Sequence, residues 1–159
     1  MLLFRKLIFG ILFLISACGF SPIYTNHYST NLNGQISIQE PNTQNEFVFY
    51  SRLTDRFGKA KGKYILNYAI TIAKEDKAIN FDGTVHRVEI SGFVTFSLKD
   101  TATGVQIFSD KEEMYLSYSN FGSTATVLNA ERTTKKQLMV VLADKVADRI
   151  SLILIDQDS

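Results

Sequence analysis

The chain has 159 residues, a formal net charge of +1, 45% apolar residues, one Cys, two Pro and no Trp. That is one domain's worth of chain with enough apolar residues for a core, and a single Cys excludes both an internal disulfide framework and a Cys-rich zinc site. The balanced charge lacks the basic footprint of a dedicated nucleic-acid binder, so no nucleic-acid partner is expected.

The averages conceal an asymmetric start, in which 13 of the first 17 residues are apolar. Arg5 and Lys6 precede the run Leu7–Ile15, and Ser16, Ala17 and Cys18 follow it. A basic region, a short apolar region and small residues in that order spell an export signal. From Leu7 to Ala17 is 11 residues, against about 20 needed to span a bilayer. Ile15-Ser16-Ala17-Cys18 resembles the bacterial lipobox, in which the Cys thiol is diacylglycerylated, the chain is cut before it, and the new amine is acylated. The plainer alternative is an ordinary signal peptide with an incidental Cys.

The lipobox reading predicts a signal peptide over 1–17 and lipidation of Cys18, with palmitate-type acyl chains as the only covalent group. Several acyl chains anchor firmly where a single one does not. Gly19 stands where an inner-membrane retention signal places Asp, which favours the outer membrane of a Gram-negative cell. Without Arg5 and Lys6 the remaining 15 basic residues face 16 acidic ones, a net charge of −1.

Residues 18–34 are rich in Ser, Thr, Asn and Tyr and read as a lipidated tether. A single domain is expected over 35–155, with a tail at 156–159. Ile36 and Ile38 alternate with polar neighbours as a short strand. Thr43 with Glu46 fits a capping box, and Phe49, Leu53 and Phe57 form a helical stripe ended by Gly58. Arg52, Arg56, Lys59, Lys61 and Lys63 then follow in close order. They read either as solvated charge with a favourable helix-end component or as an anion-facing patch.

Tyr64, Leu66, Tyr68, Ile70 and Ile72 alternate with lighter residues as a long strand. Lys74 to Asp82 reads as a charged turn, with Asp82-Gly83 at its tip. A strand from about Val85 to Leu98 sends Val88, Ile90, Val94, Phe96 and Leu98 one way and Glu89, Ser91, Thr95 and Ser97 the other. Asp100 to Gly104 reads as a hairpin loop, and Val105 to Tyr118 as a strand with a bulge or kink at Asp110–Glu113. From about Thr126 to Ile153 the period becomes helical, with Leu138, Leu142, Val146 and Ile150 on one stripe.

The order β-α-β-β-β-α predicts an α+β domain: about four mainly antiparallel strands with two helices packed on one face. The other sheet face, with Asn67, Thr71, Ser91, Thr95 and Ser97, is polar and small, as befits water or a polar cavity.

Chemistry-bearing motifs are absent. There is no nucleophile elbow, phosphate-binding loop or zinc-protease helix, and His27 and His86 have no metal-ligand spacing. The pairs Glu75-Asp76 and Glu112-Glu113 point to opposite faces of a strand, a poor arrangement for paired acid–base work. The sequence therefore predicts no catalytic residue, no metal and no enzymatic activity.

Cys18-Gly19-Phe20-Ser21-Pro22-Ile23-Tyr24 resembles the Cys-Gly-Phe-x-Pro-Leu-Tyr start of the LptE-type lipopolysaccharide-assembly lipoproteins, in particular their alphaproteobacterial branch. Asp82-Gly83-Thr84, the turn Asp100–Gly104 and the helix entered through Ala130-Glu131-Arg132 are similar to that family's central hairpin, strand connection and C-terminal helix. The resemblance implies an outer-membrane lipoprotein that sits as plug and assembly partner in the β-barrel LptD during lipopolysaccharide transport. Its domain then lies on the periplasmic side or inside the barrel lumen.

Lys74, Lys77, Arg87 and Lys111 are the candidate lipopolysaccharide contacts, on the ground that cations suit phosphates and acidic sugars. Plain solvated charge is the alternative for each. The competing function is an envelope lipoprotein serving as auxiliary subunit or lipid-binding module of a lipid-trafficking ABC system.

Overall fold

Period-two alternation over Tyr64–Ile72 and Val88–Leu98, and at Met114, Leu116 and Tyr118, puts large apolar side chains on one side of each strand, and a sheet with one greasy face follows. A computed structural model of the chain describes residues 32–59, 61–79 and 85–157. The expected signal peptide, Cys18, the tether up to residue 31, His27 and the Asp82-Gly83 tip lie outside the described residues.

The elements are β1 (Ile36–Ile38), α1 (Gln44–Phe57), β2 (Tyr64–Ile79), β3 (Val85–Asp100), β4 (Gln106–Ser119) and α2 (Thr124–Gln157). They form a four-stranded sheet in the order β1-β2-β3-β4, with β1 parallel to β2 and the other pairs antiparallel. The parallel pair needs a crossover, which α1 supplies. The expected α+β architecture, with both helices on one face, is the one observed.

Local chemistry sets the element ends. Thr43 caps α1 by accepting from the Glu46 amide, while the Glu46 carboxylate accepts from Asn42 N–H one residue before the cap. At the other end Gly58, at φ 76°, donates to Thr54 carbonyl. Asp100 Oδ1 accepts from the Ala102 and Thr103 amides and the Thr103 hydroxyl, an Asx-type turn that closes the β3–β4 loop.

The core lies between the sheet and the helices: Phe49, Leu53 and Phe57 of α1, Leu66, Val88, Ile90, Val94, Phe96 and Leu98 of the sheet, and Leu138, Leu142, Val146 and Ile150 of α2. Gly92 sits in this face because α2 crosses it closely; a Cβ there would lie 2.7 Å from Leu142 Cδ1. Leu32 is buried and Gly34 N–H donates to Phe57 carbonyl, so the packed domain takes in the last three residues of the expected tether.

Two local expectations are corrected. Lys74 to Ile79 continue β2 in register with β3, with shifts only between Asp76 and Ile79. Asp110 to Glu113 stay in an unbroken ladder, and the β3–β4 irregularity falls at Leu98/Lys99 instead. In both places charged side chains mimicked a turn, whereas cross-sheet and helix partners hold them within regular strands.

Candidate functional site

The sheet pairings place the lighter residues of all three long strands on the face away from the helices. Thr71, Thr95, Ser109, Ser117 and Ser119 are exposed there, and Asn67, Ser91 and Ser97 half-buried. The polar, small-residue face expected from alternation is present.

The same face also carries two features that alternation does not reveal. Phe93 and Tyr115 are exposed and meet edge to face, ring centroids 6.2 Å apart. They sit on neighbouring strands, with Phe93 opposite Glu113 and Ser91 opposite Tyr115. A hollow of about 330 Å³ lies nearer the β3–β4 loop, lined by Asn67, Ala69, Thr95, Ser97 and Ser109 among others.

The four candidate cations are not one cluster. Lys74 points to the helix side, where its Nζ lies 2.8 Å from Glu131 Oε2 and 5.8 Å from the Tyr118 ring centroid. Glu131 also accepts from Lys135 Nζ at 2.6 Å and Tyr118 Oη at 3.0 Å. These donors, Lys135 first, hold the Glu131 carboxyl down at about 2, and the Glu131 bond raises the Lys74 ammonium in turn. Lys74 is thus occupied in an internal network.

Lys77 and Arg87 do come together. They line an open cleft of about 490 Å³ with His86, Ser117, Tyr118 and Ser119, at the end of the sheet where β2 gives way to β3. Lys77 pairs with Glu75 and, at 3.3 Å, with Glu89. The Glu75 hydrogen bond, then that of Glu89, raises the Lys77 ammonium. Arg87 is exposed and pairs with no carboxylate among the described residues. His86 stacks on exposed Phe121 at 6.3 Å. Lys111 lies on the same face opposite Thr95, eight residues along β3 from Arg87 and so about 26 Å away.

The basic run from Arg52 to Lys63 divides as well. Arg52 forms a two-point pair with Asp144, and Arg56 reaches both Asp144 and Asp148. These two residues tie α1 to α2 and are no anion-facing patch. Their partners lie 88 to 92 residues away in sequence, beyond the reach of any local pattern.

No protein-family model matches the chain. The uncharacterized protein RP188 of Rickettsia prowazekii is 30% identical over 145 residues, an alignment spanning 89% of this chain and 92% of that protein. The chain belongs to the RP188 family.

Solved structures at lower identity share this chain's fold. Uncharacterized lipoprotein B of Nitrosomonas europaea matches with a TM-score of 0.62 at 13% identity, covering 77% of this chain and 84% of that one. Rare lipoprotein B of Shewanella oneidensis matches with a TM-score of 0.59 at 16% identity, covering 79% and 98%. A minor lipoprotein of Acinetobacter baumannii matches with a TM-score of 0.59 at 19% identity, covering 75% and 91%.

Proposed function

We propose that the protein is an envelope lipoprotein, anchored through acyl chains on Cys18. In the outer membrane it acts as plug and assembly partner of the LptD β-barrel during lipopolysaccharide transport. The observation that carries this reading is the open sheet face, lined by small polar side chains with one exposed aromatic pair. Such a surface, polar over most of its area, suits a polar barrel lumen. The fold shared with three proteins named as lipoproteins supports the same reading, as does the Cys18–Tyr24 start. Among the described residues no helix is long and apolar enough to cross a membrane. The role requires no catalytic step and no cofactor beyond the lipid on Cys18.

Within this reading Lys77 and Arg87, which share a cleft, are the stronger lipopolysaccharide contacts, with Lys111 separate and Lys74 committed to Glu131. Affinity isolation from solubilised membranes is expected to recover an outer-membrane barrel, and depletion to lower surface lipopolysaccharide. Recovery of an inner-membrane transporter with normal surface lipopolysaccharide transfers the protein to the ABC-system role. For the anchor, Cys18→Ser is expected to abolish acyl labelling and leave an uncleaved or soluble chain; unchanged labelling refutes the lipobox assignment.

A further inference from the structure

The helices begin at different heights. Arg52 pairs with Asp144, and Arg56 with Asp144 and Asp148, so α1 and α2 run in the same direction, with the start of α1 beside the region of Lys136. α2 begins earlier, at Thr124, and its first turns run on beyond α1. The step between them is an open cleft of about 700 Å³, lined by Gln44, Asn45 and Val48 of α1 and Arg132, Thr133, Lys135 and Lys136 of α2. Its volume falls in the range of small-molecule sites.

Charge pairing singles this cleft out. Arg52, Arg56, Lys135, Lys145 and Arg149, the other cations of the two helices, each reach a carboxylate. Among the described residues Arg132 and Lys136 reach none. They stand four apart on one stripe, where like charges are neighbours and repel. The nearby carboxylates are turned elsewhere: Glu46 accepts from Asn42 N–H, and Glu131 is taken by Lys74, Lys135 and Tyr118.

We propose that this cleft binds a phosphate group, carried by a lipid headgroup or by a soluble phosphorylated compound. The Arg132 guanidinium offers a planar fork and the Lys136 ammonium a point charge, a combination that matches a phosphate dianion. Thr133 hydroxyl and the Gln44 and Asn45 amides add neutral donors, and Val48 gives the attached group an apolar contact. The site lies on the helix side of the molecule, apart from the Lys77–Arg87 cleft, and it stands whether or not the protein partners a barrel.

The test uses the full chain in nonionic detergent, titrated with inorganic phosphate, with glucose 1-phosphate, and with micelles carrying phosphatidylglycerol or phosphatidylcholine. Amide NMR shifts are expected to saturate at Gln44, Asn45 and 132–136. Arg132→Ala with Lys136→Ala is expected to weaken binding at least tenfold. Exchanging the two cations (Arg132→Lys with Lys136→Arg) keeps binding, and Lys99→Ala, at an exposed cation on the sheet, leaves it unchanged. Saturation by the free phosphates identifies a soluble ligand; saturation by phosphatidylglycerol micelles only identifies a headgroup. Absence of saturation with every probe overturns the proposal, as does an affinity indifferent to the loss of Arg132 and Lys136.

Discussion

Glu131 shows how one residue joins three elements. It lies on α2, takes Lys74 from β2 and Tyr118 from β4, and is braced by Lys135 one turn on. Its carboxyl falls from an ordinary 4.5 to about 2 in the fold. A depressed carboxyl stabilises the protein above its unfolded pKa, and that stability is lost as pH falls toward the folded value. The window is therefore about pH 5 to 2. Glu131→Gln is expected to cost about 1–2 kcal/mol at pH 7, discounted for partial exposure, with the gap to the wild chain closing toward pH 2. Urea unfolding across that range measures it; a gap that stays constant with pH contradicts the assigned role. Tyr68 is the contrasting case, its hydroxyl buried without a hydrogen-bond partner among the described residues and pushed up to about 12 by burial.

At the scale of elements, two sets of ion pairs fix α2. Asp144 and Asp148 hold it beside α1, while Lys145 and Arg149 hold it over Glu112 and Asp110 of β4. The pairs with β4 descend in number as β4 ascends, so strand and helix run antiparallel. Single exposed pairs contribute little, but Asp144 serves two guanidiniums. Asp144→Ala is expected to lower the stability by about 1 kcal/mol and Asp148→Ala by under about 0.5 kcal/mol, read from urea midpoints. Equal losses would mean that the shared carboxylate has no special part. None of these pairs was legible in the sequence, because charge has no period that reveals a partner 33 to 92 residues distant. The apolar stripes of both helices were legible, because the 3.6-residue turn imposes their spacing.

Across the whole molecule, protection should follow the layers. Among the described residues β3 is bonded on both sides and covered by α2, whereas β4 is an edge and the first turns of α2 have no helix beside them. Amides from Val88 to Leu98 are expected to exchange slowest, and those of 124–136 markedly faster than those of 138–150. Uniform protection along α2 would contradict the step that opens the Arg132–Lys136 cleft.

The sequence by itself determined the element order, the buried side of most strands and helices, the cap at Thr43 and the hairpin loop at Asp100–Gly104. These follow from backbone periodicity and from contacts within a few residues. It also carried the Cys18 start on which the proposed anchor depends. Only the tertiary structure decided which cations have partners: Lys74 belongs to Glu131, Arg52 and Arg56 to Asp144 and Asp148, while Arg132 and Lys136 reach no carboxylate among the described residues. The reason is physical. A strand or helix declares its faces through local geometry, but whether a surface charge is satisfied depends on what the rest of the chain brings against it.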